Sequence, residues 1–189
     1  MSDSTAAWTQ RAIAALARFR VTTGFIFGAI VLWLAEPTRQ SLEIGATVAS
    51  VGEGIRIWAA GHLRKSREVT SSGPYRWCAH PLYVGSSVMG AGLAIASGRV
   101  LVAFLIAGYL TVALTVAVRN EEAFLRSTFG DWYDRYRRGD DRSEVASRND
   151  RRFSLAQALA NREHRALIGL LLAVLLLALK AYNRLFWAT

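Results

Sequence analysis

Long apolar blocks separated by short polar breaks set the pattern of this chain. Residues 21–35 are apolar apart from Thr22, Thr23 and glycines, and Glu36-Pro37 ends the block. A second block, 42–63, is rich in Gly and Ala and holds Glu53 and Arg56 three residues apart, on one helical face. A third runs from Pro81 to 97, where Gly85, Ser86, Gly90 and Gly92 offer the small surfaces that let membrane helices approach closely. Ser97-Gly98-Arg99 is a turn into 100–118, a nearly unbroken apolar run. The last block, 166–182, is strongly apolar but short, so Lys180 and Arg184 are expected as snorkelling ends, with Tyr182, Phe186 and Trp187 at the interface. Set against the roughly 20 residues a bilayer needs, these blocks predict an all-α, multi-pass membrane helical bundle of about five transmembrane helices. The whole chain, 1–189, reads as one domain, with polar segments at 64–80 and 119–165.

The polar segments carry their own signals. Residues 11–20 place Arg11, Arg18 and Arg20 among alanines, which suits a short helix at the membrane surface. In the segment 69–85, Gly73-Pro74 predicts a turn and Pro81 a helix start, since the first helical turn has no use for the amide hydrogen proline lacks. Such a start, with Tyr75, His80 and Tyr83 around it, can present amides and ring edges to a charged ligand, or can be a plain loop between helices. After 118 the composition turns charged, opening with Arg119-Asn120-Glu121-Glu122 and continuing with Phe124, Leu125, Phe129, Trp132, Tyr133 and Tyr136 at helical spacing. That stripe fits a helix lying on the membrane interface or packed over the spans. Residues 139–152 read as a solvated loop, and a last helix begins near Ser154.

Charge then orients the bundle. The net charge of +9 is almost all arginine, Lys65 and Lys180 being the two lysines, and arginine flanks the apolar blocks. Five crossings starting inside put the basic segments on one side, so a cytoplasmic N-terminus and a cytoplasmic site are expected, and nucleic acid is not. Hydrophobic residues make up 52% of the chain, which separates it from ordinary soluble domains. Residues 1–10 show no cleaved signal peptide. Cys78 stands alone, which excludes an internal disulfide, and three scattered histidines give no metal-ligand spacing, so no metal is expected. Gly90-Ala91-Gly92 reads as packing, because the strand and acidic residue of a dinucleotide fingerprint are missing.

Three separated segments together resemble the isoprenylcysteine carboxyl methyltransferase family of integral membrane enzymes, which is related to the phospholipid methyltransferases. They are Gly52-Glu53-Gly54-Ile55-Arg56-Ile57-Trp58-Ala59-Ala60-Gly61-His62-Leu63, then Ser72-Gly73-Pro74-Tyr75 with His80-Pro81-Leu82-Tyr83-Val84-Gly85, then Glu121-Glu122-Ala123-Phe124-Leu125 with Phe129-Gly130-Asp131-Trp132-Tyr133-Asp134-Arg135-Tyr136. The resemblance implies S-adenosyl-L-methionine held by helix ends and cytoplasmic segments. Carried over by position, it would meet Arg67, Glu68, Val69, Thr70, Tyr75, His80, Pro81, Leu82, Tyr83 and Glu121. A carboxylate such as Glu121 suits the ammonium of the methionine moiety, the start at Pro81 its carboxylate, and Tyr75 and Tyr83 its cationic sulfur or adenine. The chain departs from the family where Ala79 and Ala117 replace common arginines; Arg119 lies two residues beyond the second position.

The reading is a membrane S-adenosylmethionine-dependent methyltransferase for a lipophilic acceptor resembling an isoprenylcysteine carboxylate, entering from the bilayer. For a carboxylate acceptor Arg119 would orient it; for a phospholipid amine or a thiol, Glu122 or His80 would take the proton. The rival readings are a nicotinamide-dependent membrane reductase and a non-catalytic membrane partner protein. Glu53 and Arg56 are expected to pair, because an unpaired charge in a span costs roughly 2.5–3.5 kcal/mol on insertion scales. Asn161-Arg162-Glu163-His164-Arg165, at the entry to the last helix, could reach the same pocket, with a snorkelling cluster at the interface the preferred expectation.

Overall fold

The computed structural model of the protein describes residues 22–64, 70, 72–130 and 152–187, and every regular element among them is helical. In chain order these are α1 (Thr22–Leu34), α2 (Arg39–His62), a 3-10 turn (Gly73–Arg76), α3 (Pro81–Ala96), α4 (Val100–Phe129), α5 (Leu155–Ala160) and α6 (Glu163–Trp187). Helices α4 and α6 are long and apolar enough to cross a membrane; α1 and α3 are apolar but shorter. The helix expected over 11–20, the residues Trp132, Tyr133 and Tyr136, and the loop expected at 139–152 up to residue 151 lie outside the described residues.

Local chemistry explains the boundaries. Thr38 and Ser41 cap α2 reciprocally: the Ser41 amide donates to Thr38 Oγ1 at 3.1 Å and the Thr38 amide to Ser41 Oγ at 3.0 Å. Pro81 opens α3 as its first residue. The charged residues after 118 do not start a new helix, because α4 runs unbroken for 30 residues. Glu121, Glu122, Ala123, Leu125 and Arg126 are good helix formers, so the change at Arg119 alters the helix's surroundings and not its backbone. Gly130, at φ 54, ends α4 with its amide on the Arg126 carbonyl at 2.9 Å.

Packing centres on α2 and α3, whose backbones touch. A Cβ built on Gly52 would lie 2.7 Å from the Gly85 carbonyl oxygen, and one on Gly92 would lie 2.6 Å from that of Gly45. Both glycine pairs are seven residues apart, so they fall on one face of each helix and allow an approach that any larger side chain would block. Gly90 points elsewhere, against Leu110 of α4. Hydroxyls within the helices donate back to their own carbonyls, Thr47 to Glu43 and Ser87 to Tyr83 among them, so they demand no partner from outside.

The helices alternate in direction, which sorts the molecule into two ends. At one end Lys180 Nζ donates to the carbonyls of Leu32 and Trp33, at 2.8 and 2.6 Å, and Arg99 Nη1 lies 3.3 Å from Glu36. Lys180 therefore caps the last turn of α1, a more specific role than the snorkelling expected of it. The Ser97-Gly98-Arg99 turn forms as expected, with Gly98 at φ 67 pressed on the Glu36 carbonyl. At the other end lie the last turn of α2, the 3-10 turn, the start of α3, the later part of α4 and the start of α6.

Candidate functional site

This second end gathers the polar side chains. The turn at Gly73 needs a positive φ, 58°, and its outer side is closed by the His62 ring, 2.7 Å from where a Cβ would sit. His62 is itself fixed: Nδ1 donates to the Trp58 carbonyl at 3.0 Å, and its ring meets Trp58 and Phe153. Tyr75 and Thr70 are buried, and the Thr70 hydroxyl accepts from the Arg64 amide at 3.4 Å.

From this turn the chain reaches His80, directly ahead of Pro81. The Tyr83 and Val84 amides donate to the His80 carbonyl at 3.1 and 3.2 Å, which seats the imidazole on the first turn of α3. Its ring lies 5.7 Å from that of Tyr83. Two carboxylates from α4 face it: Glu121 Oε2 is 3.8 Å from Nδ1, and Glu122 Oε1 is 3.5 Å from Nε2. Buried Nε2 makes no hydrogen bond. Both separations are longer than an ordinary hydrogen bond. Glu121 is 39% exposed and Glu122 14%, so one acid faces outward and the other inward.

The structure therefore brings His80, Tyr83, Glu121 and Glu122 together, with Pro81 and Leu82 in the same turn. Tyr75 and Thr70 sit in the neighbouring segment. Arg119 is exposed on α4, some 200° around the helix from Glu121 at about 100° per residue. Arg67, Glu68 and Val69 lie outside the described residues.

A second polar cluster lies on the far side of α3. Glu53 is 2% exposed, and Arg56 Nε stands 3.5 Å from its Oε2, so the expected pair forms. The guanidinium, however, makes its short contacts elsewhere: Nη2 donates to Glu163 Oε2 at 2.8 Å and Nη1 to the Ser86 hydroxyl. Glu163 is 8% exposed, which corrects the interface reading for this residue, while Arg162, His164 and Arg165 are exposed. Asn161 likewise turns inward, donating to the carbonyls of Ala60 and Leu63, both at 2.8 Å. An ion pair between residues 107 apart leaves no mark in local spacing, so it could not be read from the chain.

The helix ends, the boundary carboxylates and the Gly73-Pro74 turn all fall at one end of the helical bundle, and residues 19–132, more than half the chain, match the sequence model of the phospholipid methyltransferase family. The chain belongs to that family. It is similar to the nickel-cobalt-cadmium resistance protein NccN of Alcaligenes xylosoxydans xylosoxydans, 34% identical over 108 residues, 56% of this chain and 49% of that protein. It is also similar to the cobalt-zinc-cadmium resistance protein CzcN of Cupriavidus metallidurans, 32% identical over 97 residues, 50% of this chain and 44% of that protein. The chain spans about half the length of the curated relatives it matches. No solved structure matches it.

Proposed function

We propose that the protein is a five-span membrane methyltransferase that uses S-adenosyl-L-methionine, with its site on the cytoplasmic side, and that it modifies a lipophilic acceptor reaching the site from the bilayer. The observation that carries this reading is the meeting of His80, Tyr83, Glu121 and Glu122 where α3 begins and α4 leaves its apolar stretch. The alternating helix directions support five crossings, and the arginines beside the candidate site support the cytoplasmic side.

The donor set fits the cofactor. When bound, S-adenosylmethionine supplies a methyl group on a positively charged sulfur. Glu121, the more exposed acid, holds the ammonium through charge-assisted hydrogen bonds. The Tyr83 ring provides a face for the cationic sulfur. Arg67, Glu68, Val69, Thr70, Tyr75, Pro81 and Leu82 complete the cofactor's surroundings in this reading, supported by the family membership and their place in the chain.

Methylating an amine or thiol releases a proton, whereas a carboxylate accepts the methyl already ionised. His80 and Glu122 stand 3.5 Å apart and suit the first case: Glu122 or the imidazole takes the proton, and the other steadies the charge that results. Arg119, which would orient a carboxylate acceptor of the isoprenylcysteine type, is exposed three residues before Glu122, on that residue's face of α4. The phospholipid methyltransferase family match favours a phospholipid amine, with a membrane thiol or the carboxylate second. The relatives' names concern metal resistance and name no methyl acceptor.

The test is calorimetric titration of the purified protein with S-adenosylmethionine, in detergent and in lipid, followed by transfer of labelled methyl to phosphatidylethanolamine or to a prenylcysteine. Binding lost in Glu121→Ala and His80→Ala supports the site. Native protein that binds nothing in either medium removes the reading.

A further inference from the structure

The family match ends at residue 132, yet the polar groups that follow residue 152 are aimed at the last turns of α2. A helix end leaves its final carbonyls short of intrahelical donors; the Leu63 amide serves Ala59 and Ala60, and a later segment adds donors to Ala60, Gly61 and Leu63. Asn161 Nδ2 donates to Ala60 and Leu63, the Ser154 amide donates to Gly61 at 3.2 Å, and the Phe153 ring covers Gly61 so closely that no Cβ fits there. Between Asn161 and Glu163 stands Arg162 at φ 64, the one non-glycine residue with positive φ among those described. Such a conformation is unfavourable for a residue with a side chain and persists where the surroundings over-determine it. Here the surroundings are the two anchors on either side: Asn161 fastened to the end of α2, Glu163 to Arg56 one to two turns earlier.

Both anchors lead on to the candidate site without touching it. Through Phe153 the segment presses on His62, ring centroids 6.1 Å apart, and His62 backs the Gly73 turn. Through Glu163 it holds Arg56, whose side chain lies over Gly85 and donates to Ser86, on the helix whose first turn carries His80 and Tyr83. We infer that residues 153–163 form a brace that fixes the Gly73 turn relative to the start of α3, and that Asn161 and Glu163 are positioning residues for cofactor binding. The inference rests on the methyltransferase reading and adds to it a part of the chain beyond the family match.

Coupling of this kind is reciprocal: if the brace favours the binding geometry, cofactor binding must tighten the brace. The experiment is amide hydrogen exchange on the full chain in lipid nanodiscs, with and without S-adenosylmethionine, beside calorimetry of the same samples. The expected result is slower exchange over 153–163 when cofactor is present. Asn161→Ala should raise the dissociation constant about tenfold, within the range usual for coupled sites, and abolish the added protection. Phe153→Leu, a milder change that keeps the apolar contact but shortens its reach to His62, should show a smaller loss in the same direction. Cofactor binding with unchanged exchange over 153–163 and an unchanged constant in Asn161→Ala overturns the brace alone. No binding by the native protein overturns the methyltransferase reading and the brace with it.

Discussion

At His80 the ring nitrogens stand 3.8 and 3.5 Å from Glu121 and Glu122, whereas at Arg56 the guanidinium meets Glu163 at 2.8 Å and also donates to Ser86. Both clusters touch α3 and both set a nitrogen-bearing side chain against two acids. They differ in closure. Arg56 lies between three helices with its partners fixed, and a charge so enclosed is stable only while all its neighbours remain. His80 lies at the bundle's rim, its carboxylates too far to form full hydrogen bonds and one of them 39% exposed. Tight pairing marks a tie between helices; the looser pairing at the boundary is where the proposed function puts its ligand.

The sharpest way to break that comparison is Arg56→Met. It leaves Glu53 and Glu163 buried without a counter-charge and should cost about 3–5 kcal/mol of stability, read from unfolding in detergent. Little change in unfolding would mean the cluster is not the tie described. Glu122→Gln should do the opposite, lowering turnover with an amine acceptor by roughly a hundredfold, the ordinary scale of one general base, while the unfolding transition stays in place. An intact rate would hand the proton to His80. Glu121→Gln should weaken S-adenosylmethionine binding by about tenfold, as loss of one charge-assisted hydrogen bond does, and a coincident drop in stability would show that Glu121 is structural after all. The smallest effect belongs to Glu43→Gln. Its salt bridge with Arg39 at 2.9 Å is exposed on both sides, and no measurable shift in unfolding temperature is expected.

Much of the helical frame was legible in the chain because the apolar blocks, Pro81 and Gly98 act locally. Hydropathy marked the stretch from Val100, and proline and glycine marked the turns. Hydropathy misled at Arg119, where a change of solvent resembles a change of structure although the helix continues to Phe129. The glycines of α3 could be seen as packing surfaces but not assigned: Gly85 and Gly92 face α2 and Gly90 faces α4, a distinction only rotation in space supplies. For the site, spacing alone put Glu121 and Glu122 on a helix, and only the family resemblance joined them to His80, some 40 residues earlier. The Glu163 tie was hidden for the same reason, a long-range pair having no local period.

The unbroken α4 carries a further consequence. At about 1.5 Å per residue, the 21 steps from Val100 to Glu121 span about 32 Å, close to the roughly 30 Å depth of a bilayer's hydrocarbon core. If α4 crosses the bilayer as proposed, the helix is in effect a ruler: with its start tied by the Arg99 and Glu36 contact, it would deliver the paired acids to the opposite surface at a fixed height. The plane of the proposed site would then be set by bilayer thickness, and turnover in vesicles should peak at one acyl length and fall as the lipid is made thinner or thicker.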